Sequence, residues 1–253
     1  LSLNDDVRRY WEREPCGTSR TIVGDLPERT RDWFERIEEH RYRVEPFIHS
    51  VAQFTRHHDK TVLEVGVGAG IDLLQWARAG ATCYGVDLTD AAIETTRARL
   101  ALYGFSCTLT QVDAEQLPFA DESFDVVYSW GVIHHSEHPE RMVQEIRRVL
   151  KPGGMFIGMV YGRRSLVAVR LWIRHALRKG APLRSVSDVI WHHMESVGTK
   201  AYTAQEVRAL FAGFRSLAVT PLITPYDVDG WPRWIARLVP ESWGWFIAVH
   251  GRK

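Results

Sequence analysis

The chain has 253 residues, of which 45% are hydrophobic and 25% charged, with a formal net charge of +1. These proportions argue against disorder, and the near-neutral charge gives no global reason to expect nucleic acid as a partner. Cys16, Cys83 and Cys107 are far apart and odd in number, which argues against a disulfide framework or a cysteine zinc finger and fits a reducing, cytoplasmic setting. No apolar run reaches the roughly 20 residues of a membrane span, and the opening residues carry no signal-peptide pattern.

Residues 1–58 read as mostly helical and charged, broken by "EPCGTSR", and are expected to form an N-terminal lid. From 59 to 162 strand and helix signals alternate. "TVLEV" (61–65) is a short β-type run, and "GAGIDLLQWARAG" is a glycine turn opening a helix. "ATCYGVD" (81–87) is a second strand, and "DAAIETTRARLALYG" (90–104) is a helix with an Asp start and a Gly stop. "SCTLTQVD" and "SFDVVYS" (123–129) are the third and fourth strands. "PERMVQEIRRVLKPGG" (139–154) reads as a helix with Pro in its first turn and Pro-Gly-Gly as its stop, followed by a fifth strand over 155–162. Strands separated by helices predict a parallel sheet covered on both faces. Residues 163–201, a basic helix and a loop, form a cap insertion after the fifth strand. Residues 202–253 complete the sheet with a helix over 203–214 and two strands that pair antiparallel.

Charge is distributed unevenly within that frame. From Gln111 to Glu145 eight acids face one base, Arg141, whereas Ile146–Ser187 holds ten Lys or Arg and no acid. Arg170, Arg174 and Arg178 recur every four residues on one helix face and repel unless an anion is near. Pairing with the acidic stretch is the first expectation, then an acidic or lipid-like acceptor or an anionic membrane surface.

"LEVGVGAG" (63–70) runs a strand through Glu64 into Gly66, Gly68 and Gly70 and then into a helix. Glycine admits turn conformations and close ligand approach. The spacing is G-x-G-x-G rather than the dinucleotide G-x-G-x-x-G, and Glu64 opposes a pyrophosphate while suiting a cofactor with a cationic centre. Asp87 ends the second strand, where a carboxylate can accept both hydroxyls of a ribose. Asp113 and Ala114 follow the third strand, where an acid and a backbone N–H can read an adenine edge. Each acid alone also fits a turn or a helix cap, but together they converge on one crevice.

With these residues in place, "VLEVGVGAG", "GVDLT", "DAEQLPF", "FDVVYSWGVIHH" and "RVLKPGG" resemble, in order and spacing, the motifs of the class I S-adenosylmethionine-dependent methyltransferases that act on small molecules. The resemblance covers roughly residues 60 to 160. It implies an α/β, Rossmann-like seven-stranded sheet with an antiparallel last strand, and S-adenosylmethionine as cofactor. It places Gly66 and Gly68 at the methionine part, Asp87 at the ribose, Leu88 beside the adenine, and Asp113 and Ala114 at its edge. Ser129 and Trp130 fall near the methionine amine and the sulfonium. In similar enzymes an N-terminal segment closes the pocket, which makes Tyr10, Arg41 and Tyr42 candidates for the acceptor pocket.

"WGVIHHSEHPE" (130–140) then lies beside the transferable methyl group. His134 and His135 are candidates for a base or for positioning the acceptor, with a purely structural role equally open, and His138 is expected at the surface. No metal is expected: two of the imidazoles are adjacent in a turn, Pro139 keeps one helix from carrying all three, and a sulfonium is already activated. His192, His193 and Glu195, in the cap insertion, are further candidates for a base or an acceptor clamp. The expected reaction is methylation of a small organic acceptor of specialised metabolism, at oxygen by preference and otherwise at nitrogen or carbon. A non-catalytic S-adenosylmethionine-binding module and an NAD-dependent oxidoreductase are the alternatives. The oligomeric state stays open.

Overall fold

The computed structural model describes residues 2–232, 234 and 238–253; the remaining positions of the expected lid and C-terminal segment lie outside them. Seven strands, β1 (Thr61–Val65), β2 (Thr82–Asp87), β3 (Thr108–Gln111), β4 (Phe124–Trp130), β5 (Leu150–Tyr161), β6 (Arg215–Leu222) and β7 (Phe246–Arg252), form one sheet in the order 3-2-1-4-5-7-6. β1 to β5 pair in parallel, while β7 runs antiparallel to both neighbours, β5 and β6. This is the Rossmann-like seven-stranded architecture that the resemblance implied, with the parallel β1 to β5 expected from the alternating elements.

The period-2 alternation of strand side chains divides the core between the two faces. Val62, Tyr128 and Trp130 pack on one face, and Leu63, Val65 and Val127 on the other. The helices are α1 (Leu3–Arg13), α2 (Arg20–Val23), α3 (Arg31–Val44), α4 (Ile48–Ala52), α5 (Ile71–Arg78), α6 (Asp90–Leu102), α7 (Pro139–Val149), α8 (Leu166–His175), α9 (Val186–His193), α10 (Ala204–Leu210) and α11 (Pro225–Val228). α1 starts at a reciprocal cap, in which the Ser2 hydroxyl accepts from the Asp5 N–H and Asp5 accepts from the Ser2 N–H. At its other end Glu12 accepts from the free N–H groups of Asp90 and Ala91, so one carboxylate ties α1 to the first turn of α6. No described helix is long and apolar enough to cross a membrane.

The helix over 139–154 is shorter than its pattern suggests. α7 stops at Val149, and "KPGG" belongs to β5. Lys151 precedes Pro152, which disfavours helical backbone there, and the pairing steps from Phe124↔Leu150 to Val126↔Met155 across an irregularity that absorbs the intervening residues.

The charge asymmetry also resolves differently from the first expectation. Acids of the 111–145 stretch pair with Arg148 and Lys151, next to them in the fold, rather than with the arginines of α8. Arg170 reaches the carbonyl of Asp229, Arg163 holds Glu206 with two hydrogen bonds, and Arg184 pairs with Asp188.

Candidate active site

β2 and β4 flank β1, and the connections leave in opposite directions, so a crevice opens at the carboxyl ends of these strands. A cavity of about 450 Å³ occupies it, within the usual range for a small-molecule site. Its floor is the glycine turn. Gly66 has φ +83°, and a Cβ there would stand 2.2 Å from Val132 Cγ2, so the loop after β4 closes against bare backbone. The Gly68 N–H donates to Asp87 Oδ2 at 3.1 Å, while Asp87 Oδ1 accepts from the Thr89 N–H and hydroxyl. Burial pushes the Asp87 carboxyl above its usual range, although these donors oppose the shift. The carboxylate thus locks the turn and keeps lone-pair capacity on Oδ2 towards the cavity.

Asp113, Ala114 and Leu88 line the same end. Asp113 Oδ1 accepts from the Glu115 N–H at 2.9 Å, and its Oδ2 accepts from the Asn4 side-chain amide at 2.8 Å. That amide also donates to Glu115 Oε1, and Asn4 Oδ1 accepts from the Glu137 N–H, so α1 is stitched over the crevice. Nothing local in "LSLNDD" marks Asn4 for this task, because its partners stand more than a hundred positions away.

The other end is built from a buried polar network. Asp72, on the first turn of α5, accepts from Arg41, from the Tyr42 hydroxyl at 2.8 Å and from the Tyr128 hydroxyl at 2.9 Å. Glu45 pairs with Arg41 and accepts from Trp130 Nε1 at 3.0 Å and the Tyr226 hydroxyl at 3.3 Å. Glu64 lies behind the wall at 3% exposure, with Oε2 unpartnered among the described residues. Burial pushes the Glu64 and Glu45 carboxyls up. Glu45 and Asp72 thus share the one guanidinium of Arg41, and Glu64 pairs with none among the described residues, an excess of buried acid that a cationic ligand would relieve. Glu45 and Asp72 escaped sequence reasoning because nothing in their own segments sets them apart; a buried acid matters here only through residues brought in from other elements. Cys16 opens onto the cavity between these ends, and the surrounding protein pushes its thiol up to about 12.

The third wall belongs to the histidine loop and the cap segment. His135 is nearly buried and lines the cavity; its Nδ1 lies 3.1 Å from both Ser196 Oγ and Thr199 Oγ1, and its Nε2 lies 3.3 Å from Glu195 Oε2. Tyr161 donates its hydroxyl to Glu195 at 3.0 Å. Glu195 takes φ +51°, a conformation that a non-glycine residue holds only when its surroundings enforce it. Trp11 meets the His135 ring edge-on at 5.5 Å. His134 stacks on Tyr161 with centroids 3.8 Å apart and is fully buried, and desolvation holds its imidazole well below the usual range, hence neutral.

Of the residues marked from sequence, Gly66, Gly68, Asp87, Leu88, Asp113, Ala114, Trp130, Arg41, His135 and Glu195 line this one cavity. Glu64, Ser129 and His134 stand directly behind its wall, and Tyr42 supports it through Asp72. Tyr10 is 43% exposed and packs on Trp11. His192 and His193 are not brought to the site: both are exposed on α9, the first bonded to the Asp188 carbonyl, the second stacked on His175 and beside Arg184. Glu195 lies past the end of α9, which stops at His193, so its left-handed backbone brings the carboxylate to the cavity while the two histidines stay on the exposed face of the helix. His138 is tied to Glu115 through its backbone N–H and Nδ1, at 2.8 and 3.0 Å.

This sheet order, with a glycine turn and strand-end acids around one crevice, is that of the class I S-adenosylmethionine-dependent methyltransferases. Residues 63–158 match the family model described as a methyltransferase domain, and the methyl donor of that family is S-adenosylmethionine. Over 99 residues the chain is 42% identical to the phthiotriol/phenolphthiotriol dimycocerosates methyltransferase of Mycobacterium tuberculosis, covering 38% of this chain and 36% of that protein. Over 97 residues it is 35% identical to sterol 4-C-methyltransferase strm-1 of Caenorhabditis elegans, covering 38% and 29%. The chain thus spans about a third of the length of these curated relatives. Among solved structures, the [4+2]-cyclase SpnF superposes with a TM-score of 0.64 at 16% identity, covering 100% of this chain and 97% of that one. An S-adenosylmethionine-dependent methyltransferase from Mesorhizobium loti gives 0.59 at 19% identity, covering 82% and 97%.

Proposed function

We propose that this chain transfers a methyl group from S-adenosylmethionine to a small organic acceptor with an apolar body and a proton-bearing reactive atom, oxygen by preference and otherwise nitrogen or carbon. One observation carries the reading: a cavity lined by Asp87 and Asp113 at one end is walled at another by His135, Glu195 and Tyr161. In this reading Asp87 holds the ribose hydroxyls, Leu88, Asp113 and Ala114 the adenine, and Gly66, Gly68, Trp130 and the acid-rich network the cationic amino-acid end. Methyl transfer from a sulfonium is an in-line displacement, so the protein's work is alignment, water exclusion and removal of the acceptor's proton. The acceptor would rest against His135 and Glu195, with Met159, Val167, Leu171 and Phe246 around its apolar part. α1 acts as a lid and residues 163–201 as a cap. A lipid-like acceptor suits this lining, and the names of the two curated relatives, a sterol methyltransferase and a dimycocerosates methyltransferase, point the same way.

The test is calorimetric titration of the wild-type chain and Asp87→Ala with S-adenosylhomocysteine and, separately, NAD, followed by detection of S-adenosylhomocysteine formed from S-adenosylmethionine with sterol, phenol and hydroxylated-lipid acceptors. Micromolar S-adenosylhomocysteine binding, lost in the variant, together with acceptor-dependent turnover is the expected result. Binding of NAD alone would overturn the reading in favour of an oxidoreductase. Cofactor binding with no turnover on any acceptor class would favour a non-catalytic module.

A further inference from the structure

The cap segment brings Glu195 from far along the chain to the adjacent pair His134 and His135 of the histidine loop. One ring nitrogen each of His134 and His135 and a carboxylate oxygen of Glu195 all lie within 4.8 Å of one another. Proximity alone decides little, since a histidine beside a carboxylate is ordinary. Two further facts decide more.

The first is the orientation of His135. Thr199 Oγ1 donates its single proton to the Ser196 carbonyl at 2.7 Å, so at 3.1 Å from His135 Nδ1 it is left to accept. The Thr199 contact is served by a hydrogen on Nδ1, while the Ser196 hydroxyl can stand on either side of its own bond to that nitrogen; we take the Nδ1–H tautomer. That leaves the lone pair of Nε2 facing Glu195 Oε2 at 3.3 Å. Two acceptors face each other, and a positive charge belongs between them, either a proton or a metal ion. Buried hydroxyls that fix the tautomer of an imidazole are what a metal-binding histidine requires.

The second is His134. It is fully buried, and both of its ring nitrogens lack a hydrogen-bond partner among the described residues, which is costly for two polar atoms in one ring. A proton on His135 would leave His134 unserved. A cation at the centre of the three groups serves both imidazoles and the carboxylate at once.

We propose that His134, His135 and Glu195 bind one divalent transition-metal ion. Two imidazoles and one carboxylate select zinc, iron(II) or cobalt(II) over magnesium or calcium. Three protein ligands leave coordination positions open. Since His135 and Glu195 line the cavity, these positions face the space assigned to the acceptor. The acceptor would then present an oxygen to the ion, as a hydroxyl, enol or carboxylate. This last step rests on the methyl-transfer reading, whereas the metal site does not. The left-handed backbone of Glu195 has a use in this arrangement: it brings the carboxylate to the cavity directly after a helix that ends in the exposed His192 and His193.

The experiment is titration of the tag-free full chain, first stripped with chelator, with ZnCl2 and with CoCl2. Calorimetry reads the stoichiometry, and the visible spectrum of bound cobalt(II) reads its ligand field. One ion per chain at micromolar affinity or tighter is expected, with affinity falling at least tenfold in Glu195→Gln and in His135→Gln. Glu195→Gln keeps the shape of the site, and its unaltered melting temperature in the stripped state would show that the fold survives. His134→Ala serves as a third variant if it folds. Absence of saturable uptake, or uptake unchanged in Glu195→Gln, overturns the proposal. S-adenosylhomocysteine titrated into the same samples separates the two readings: its binding without metal uptake sinks the metal site alone, and metal uptake without its binding sinks the methyl-transfer reading alone.

Discussion

Replacing Glu115 by Gln should weaken the fold in a way that disappears in acid. Glu115 Oε1 accepts from the Ser136 hydroxyl at 2.6 Å, the His138 N–H at 2.8 Å and the Asn4 amide at 2.8 Å, while Oε2 faces His138 Nδ1 at 3.0 Å. Burial alone would raise this carboxyl, but the bonds from Ser136, His138 and Asn4 outweigh it and hold the group at about 2, against an ordinary 4.5. A depressed carboxyl stabilises the folded chain above its unfolded value, and the contribution fades as pH falls through the folded one. With solvent screening allowed for, that contribution is about 1.5 kcal/mol at neutral pH. Glutamine keeps the oxygen that serves three donors and loses only the charge. Its melting temperature at pH 7 should drop by about 3–6 °C for a chain of this size, and the gap should shrink to less than half by about pH 3. Thermal denaturation followed by circular dichroism at both pH values is the assay. Trypsin cleavage after Arg8 or Arg9 should also quicken, because Asn4 loses its charged partner. A variant as stable as wild type at pH 7, or a gap that widens in acid, would refute the assignment of Glu115 as the anchor of α1.

Other expectations are as direct. Gly66→Ala forces a Cβ to 2.2 Å from Val132 Cγ2 at φ +83°, and should cost about 2 kcal/mol in urea unfolding, partly restored by Val132→Ala; full stability of the single variant would contradict the geometry. Tyr128→Phe removes the donor to buried Asp72 and should cost about 1–2 kcal/mol without emptying the site; a neutral outcome would mean that Asp72 is satisfied by Arg41 and Tyr42 alone. Cys16 is exposed but its thiol is pushed up to about 12, so it should react with iodoacetamide at pH 7.5 far more slowly than a free thiol for want of thiolate, and rapid alkylation there would contradict that shift. His192→Ala should leave S-adenosylhomocysteine affinity unchanged by calorimetry, and a tenfold loss would mean that α9 reaches the cavity.

The sheet was legible because its evidence is local. Strand runs, glycine turns and caps each sit within about a dozen residues, and the acids ending β2 and following β3 needed only the parallel topology to converge. The boundary of α7 was misread because "KPGG" is a helix stop and a strand start at once, and only the pairing with β4 separates the two. The acceptor side was half legible. "IWHHMES" contains two exposed histidines and one inward carboxylate, and which residue turns inward is set by the backbone of Glu195, a conformation that no pattern announces. Asn4, Glu45, Asp72 and Glu115 stayed invisible for a different reason: each is an ordinary polar residue whose importance lies in partners contributed by other elements, and composition cannot register such pairings.

The position of β7 has a consequence for how the molecule is made. It is the last of the seven strands to leave the ribosome, yet it sits inside the sheet, bonded on one side to β5 and on the other to β6. Until residues 246–252 arrive, β5 presents a bare apolar edge and β6 has no neighbour at all. Such edges invite pairing with other chains. Native contacts formed during synthesis can therefore complete β1 to β5 but not close the sheet, and the final closure joins segments far apart in the chain, which slows folding. A translation product ending after Gly244 would lose two strands for the absence of one, and would leave both the cavity wall at Phe246 and the edge of β5 open to aggregation.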